Sequence, residues 1–307
     1  MHLNQLLSDY LLTLAGETRR CYGNILARHI AFLGQERDAC TVQACTVQPG
    51  EILRWQESMR TQARRYDGHP RRPAEDGGLA EMTIYKNMRT AKAFWSWAVE
   101  WDDDLDRSPM RAIHIERPPR TPVSAKAAPL STLQALLPVA RQHPRDYALY
   151  LFLLATGCRR KSACLLTLDR LDLAKRRAEI IGKGDRLYTV PFCATTADAL
   201  RAWLEVRPYV ETRAVFLSLR RWQPMTPDGL GAWLHLLCQR AKVPRIGPHA
   251  IRHAVGCYHA NNGEPLSLIR ELFGHSDSRI TLENYMPDSE DEVRAMVERG
   301  LVKLLAA

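Results

Sequence analysis

Apolar residues recur at helical spacing from the start of the chain. Leu3, Leu6, Leu7, Tyr10, Leu11 and Leu14 form one stripe, and Tyr22, Ile25, Leu26, His29, Ile30 and Leu33 form the next. Pro49, at a first-turn position, opens a third helix through Trp55. A polar, Arg-, Gly- and Pro-rich stretch at 61–78 breaks the pattern and reads as a loop. A fourth helix is expected from about Thr83 to Glu100, turning Ile84, Met88, Ala91, Trp95 and Ala98 inward. Lys86, Arg89 and Lys92 fall off that stripe, and such a basic face suits a nucleic-acid groove. Asp102, Asp103, Asp104 and Asp106 follow it; without the Gly and Glu spacing of a calcium loop they read as a solvated acidic turn.

The next stretch is rich in proline and divides the chain. Residues 1–115 form a helical domain, 116–129 an extended linker, and 130–307 a second domain. Ser131 and Gln134 have the spacing of a capping box. A helix after His143-Pro144 runs through Tyr147 and Leu153 to Thr156-Gly157, and Arg159 begins another. The period then changes to two: 177–181 and 187–192 are β-rich runs joined by Gly182-Lys183-Gly184-Asp185, a hairpin with lysine at its tip. Thr226-Pro227-Asp228 starts a further helix, and Pro248 starts the one that carries His249 and Arg252. The expected class is mainly α with a small β-sheet in the second domain.

Composition is that of an ordinary globular protein, 46% hydrophobic and 25% charged over 307 residues. The net charge of +9 is unevenly spread: residues 1–120 hold 17 Lys+Arg against 16 Asp+Glu, and residues 121–307 hold 26 against 18. A basic excess concentrated in the second domain points to a polyanionic partner, most simply nucleic acid. The eight cysteines include no C-x-x-C pair and read as reduced and packed. No segment has the features of a signal peptide, and the longest apolar run, Tyr147 to Ala155, falls far short of the roughly 20 residues a membrane span requires. A soluble, cytoplasmic protein with no membrane partner is expected.

Candidate chemistry concentrates between His249 and Tyr285. The sequence reads H-A-I-R at 249–252, L-F-G-H at 272–275 and N-Y-M at 284–286. One helical turn places His249 and Arg252 on a common face, and a cation beside an imidazole suits a phosphate or a developing oxyanion. Arg159, at a helix start beside a glycine turn, is a further anion-binding candidate. His249 and His253 have the spacing of zinc ligands, but no glutamate lies between them and no third ligand is evident; neither a metal nor a cofactor is expected.

Taken in order, T-G-C-R (156–159), G-K-G (182–184), H-A-I-R (249–252), L-F-G-H (272–275) and Tyr285 give the chain a resemblance to the tyrosine recombinase, or phage integrase, family, including its Xer-like site-specific recombinases. The resemblance runs from about residue 10 to 300. It implies a helical, SAM-like core-binding domain, an α/β tyrosine-recombinase catalytic domain and a C-terminal exchange helix at 289–305. It also implies a site-specific recombinase that cleaves DNA through a 3′-phosphotyrosyl link, in integration, excision or resolution of a mobile element, phage or plasmid. Tyr285 would be the nucleophile; Arg159 and Arg252 would neutralise the phosphate, with His249 and His275 completing the cage and Lys183 protonating the 5′-oxygen. The implied partners are double-stranded DNA, a homotetramer on two duplexes and accessory DNA-bending proteins. A type IB topoisomerase-like nicking-closing enzyme, or a DNA-binding factor that has lost catalysis, are the alternatives. One position departs from the family pattern: Ser162, three residues after Arg159, stands where an acidic residue is more common.

Overall fold

Helical spacing of apolar side chains builds most of the molecule. The computed structural model describes residues 1–35, 42–66, 73–119 and 124–274, Lys183 by its backbone alone. The chain divides into two compact units, Met1–Arg120 and Thr121–Ala307.

The first unit contains α1 (Leu3–Leu12), α2 (Gly16–Leu33), α3 (Pro49–Thr61) and α4 (Glu81–Trp101). Pro49 opens α3 as expected, and Glu51 reaches back to accept from the Gln48 amide at 2.8 Å, which occupies a donor that the helix start leaves unpaired. The inward stripe of α4 is the expected one, with Phe94, Asn87 and Thr90 buried beside it. At the centre, His29 accepts a hydrogen bond from Trp95 Nε1 at 3.0 Å, with the Trp55 ring 4.2 Å from its own. Asp102 corrects the expectation of a wholly solvated acidic turn: it is 3% exposed and accepts from the Met1 amino group at 2.7 Å.

The second unit is built around α6 (Pro144–Thr156), which buries Ala148, Leu149, Tyr150, Phe152 and Leu153 and is therefore a core helix. Around it come α5 (Leu130–Ala140), α7 (Arg160–Cys164), α8 (Ala194–Val206), α9 (Pro227–Arg240), α10 (Pro248–Asn261) and α11 (Leu266–Leu272). Thr226 caps α9 by accepting from Gly229 N at 3.0 Å. The capping box expected at Ser131 and Gln134 does not form: α5 starts two residues earlier, with Pro129 rather than Ser131 as its cap. The proline fixes an extended entry, so the helix begins before the serine. The end of the Pro-rich segment is packed too, for Ala128 is buried and donates its N–H to Ala250 O at 3.0 Å.

The hairpin is present, with a short strand added. β1 (Leu171–Asp172), β2 (Arg177–Ile181) and β3 (Leu187–Pro191) form an antiparallel sheet in the order β1-β2-β3. Register places Ala178 opposite Val190 and Ile180 opposite Tyr188, so this face of the alternation turns toward the core. The class is mainly α with a small antiparallel sheet.

Candidate active site

Three of the motifs meet at one guanidinium. Arg252, on the second turn of α10, is 5% exposed and donates through Nη1 to Gly157 O at 2.8 Å and through Nη2 to Phe273 O at 3.2 Å. Gly157 ends α6 and Phe273 ends α11, so one arginine occupies carbonyls that two helix ends leave without an intrahelical partner. The negative ends of both helix dipoles favour the cation there. The guanidinium also lies over the Phe273 ring, 4.1 Å from its centroid. Two glycines allow this closeness. Gly157 has φ +54°, and a Cβ on it would collide with the Phe273 ring; Gly274 has φ +58°, and a Cβ there would lie 2.7 Å from the ring of Tyr188. The sequence pattern T-G-C-R … H-A-I-R … L-F-G is thus one packed structure.

Arg159 is the residue that precedes α7, following the left-handed Gly157 and the buried Cys158. Its Nη1 is buried and has no hydrogen-bond partner. Cys158 is a packing residue, because burial pushes its thiol up to about 11 and keeps it neutral. His249 lies at the exposed start of α10. Desolvation holds its pKa below the usual histidine value, and the charges of Arg252, Arg159 and Arg160 lower it further. His253, one turn on, is lowered by burial first and then by His249, Arg252 and Lys126; its ring centroid is 6.5 Å from that of His249. Among the described residues no group of three or more His, Cys, Asp or Glu is placed to hold a metal.

Lys183 begins the turn between β2 and β3, closed by a hydrogen bond from Gly182 N to Arg186 O at 2.7 Å. Its side chain, together with His275, Tyr285 and the expected helix at 289–305, lies outside the described residues. Of the three basic residues proposed to face DNA in the first unit, Lys86 and Arg89 are exposed. Lys92 is half-buried and donates to Ile113 O at 3.1 Å, which gives it a structural partner.

Tyr188 went unnoticed in the sequence. Its hydroxyl is buried without a hydrogen-bond partner. Burial raises its pKa, and Cys158 adds to that; the positive charges of Arg252 and Arg159 pull the other way. The available signal was its place in the alternation, two residues before the buried Val190.

Solved structures with the same architecture include complexes with DNA. The integrase of the Tn1549 transposon, in complex with transposon right end DNA, superposes with a TM-score of 0.71 at 20% identity, covering 97% of this chain and 99% of that one. The XerH site-specific recombinase bound to its difH substrate gives 0.66 at 17% identity, over 91% of this chain and 78% of that one. The fold is that of the DNA integrases and recombinases. In sequence, the model of the phage integrase family matches residues 130–292. Tyrosine recombinase XerC of Mycobacterium leprae (strain TN) is 31% identical over 68% of this chain and 73% of its own length. XerC of Mycobacterium tuberculosis (strain ATCC 25177 / H37Ra) is 30% identical over 73% and 78%. The chain belongs to the phage integrase family, the tyrosine recombinases.

Proposed function

We propose that this chain cuts and rejoins duplex DNA at specific sites, with Tyr285 as nucleophile and Arg159, Lys183, His249, Arg252 and His275 as its supporting groups. A DNA phosphodiester is anionic, and a phenol has a reference pKa of roughly 10. The reaction therefore needs positive charge on the non-bridging oxygens, a path for the phenol's proton and an acid for the departing alkoxide. In the proposed step the Tyr285 oxygen bonds to phosphorus and its proton passes to a histidine, while the bond to the 5′-oxygen breaks and that oxygen takes a proton from Lys183. The product is a 3′-phosphotyrosyl link, which keeps the ester bond for rejoining, so neither ATP nor a metal is needed.

The observation that carries this reading is the unpartnered Nη1 of Arg159, whose charge acts with that of Arg252 on His249 and Tyr188: a half-buried cation with an unused, buried donor suits an incoming phosphate. The XerC relatives support site-specific recombination over nicking and closing of one duplex. The proposal extends to cytoplasmic action by a homotetramer that holds two duplexes, assisted by DNA-bending proteins; Lys86 and Arg89 are its candidate DNA contacts in the first unit. No helix among the described residues is long and apolar enough to cross a membrane.

The test uses a nicked duplex carrying the site recovered by selecting bound DNA from a random-sequence pool. The protein should become covalently attached, and Tyr285→Phe should bind as well and form no adduct. An adduct that persists in Tyr285→Phe removes Tyr285 from the mechanism, and cleavage abolished by EDTA and restored by Mg²⁺ removes the metal-free step.

A further inference from the structure

Ser162 breaks the family's acidic pattern, and the structure gives it a different task. It sits on α7, three residues after Arg159, and is 2% exposed. Its hydroxyl donates to the carbonyl of Ile181. Ile181 is the last residue of β2, paired with Leu187 across the ladder, and the next residues are Gly182, Lys183 and Gly184. A part-buried hydrogen bond therefore joins the helix that follows Arg159 to the base of the lysine hairpin, 19 residues away in sequence. An ionised carboxylate accepts hydrogen bonds and has no proton to offer a carbonyl, so the acidic residue more common here could not make this bond in its charged form.

We propose that Ser162 is a positioning residue that holds the Lys183 hairpin in register with Arg159, so that phosphate binding and protonation of the leaving oxygen occur at one place. The inference rests on the reading of Lys183 as the general acid. The tied pair, Ile181 and Leu187, is the last of the ladder, and Lys183 follows only two residues later, so the position of Ile181 governs where the turn can reach. The Gly182–Arg186 bond closes the turn on itself without anchoring it to α7.

Two readouts test the proposal on the full chain. The first compares cleavage of a nicked duplex having an ordinary scissile phosphate with one having sulfur at the 5′-bridging position, a leaving group that needs no proton. Misplacing an acid should slow Ser162→Ala about 10- to 100-fold on the ordinary substrate and leave it within about threefold of the parent on the sulfur substrate. Ser162→Cys, nearly the same size with a weaker donor, should fall between the two. The second readout is amide hydrogen exchange over residues 182–187, which should speed up in Ser162→Ala and not in Lys183→Ala. An equal defect on both substrates, or unchanged exchange in the hairpin, overturns the proposal. If exchange speeds up but sulfur fails to rescue Lys183→Ala, the tie stands and the reading of Lys183 as the acid is what fails.

Discussion

The two units bury polar side chains on different terms. In the first, His29 accepts from Trp95, Asn87 reaches the Met59 sulfur at 3.3 Å, and Asp102 holds the Met1 amino group. Among the described residues only one buried polar atom there, Nδ1 of His29, has no hydrogen-bond partner; the second unit has five, on Arg159, Tyr188, Trp233, His235 and His253. An unpaired buried polar group costs about 1–3 kcal/mol, so keeping several together needs a reason. Tyr188 feels the charges of both Arg159 and Arg252, and His253 that of Arg252; a phosphate supplies acceptors for such donors. Trp233 and His235 lie on α9, and nothing in the structure explains them. The contrast also holds within the second unit. Arg145, more deeply buried than Arg159, is closed off by Asp146 and by Leu217 O at 2.9 Å. A closed buried cation serves the fold, and an open one is available to a ligand.

The largest expected effect tests that distinction on Arg159. Arg159→Ala should lower the cleavage rate about 10²–10³-fold, as loss of an oxyanion donor does, while urea unfolding shifts by less than about 1 kcal/mol. Comparable losses of stability and rate would make Arg159 a fold residue like Arg145. Arg252 is closed by Gly157 O and Phe273 O, and the proposed function also places it at the phosphate. Arg252→Ala leaves two helix-end carbonyls without their charged donor, and unfolding should be easier by about 3 kcal/mol in addition to the loss of cleavage. Arg252→Lys should keep the charge and still lose most of the stability, since an ammonium cannot fork between two carbonyls while lying flat on Phe273. Full stability in Arg252→Lys would show that charge alone holds the motifs together.

The smallest effect lies in the first unit. Burial lowers the pKa of His29 to about 3, so the folded chain keeps it neutral while the unfolded chain takes up a proton below its reference value of about 6.5. Stability is therefore complete above pH 6.5 and falls by up to about 1.4 kcal/mol per pH unit between there and pH 3. His29→Gln, able to accept from Trp95 without titrating, should remove this slope from urea unfolding measured at pH 7, 6 and 5. An unchanged slope would place the acid sensitivity elsewhere.

These cases show which parts of the chain sequence made legible. Helix stripes, the Pro-started helices α3, α9 and α10, and the β2–β3 hairpin follow from local period and turn chemistry, which act within a few residues. Arg159 and Arg252 stood out because their residue types and neighbours are unusual. Their partners did not. Arg252 bonds to carbonyls 95 and 21 residues away, and Ser162 to one 19 residues away, and no local pattern encodes which backbone oxygen a side chain will meet. The misplaced cap at Ser131 and the burial of Asp102 have the same origin, in that a short motif indicates what a residue can bond to and tertiary packing decides what it does bond to.

The pair of hydrogen bonds made by Arg252 also bears on when the site can form. Gly157, Arg252 and Phe273 come from well-separated parts of the chain, and closing loops of that size is a late and entropically costly event in folding. A partly synthesised or locally unravelled chain has no such cluster, and with it lacks the arrangement of charge that would activate a phosphate.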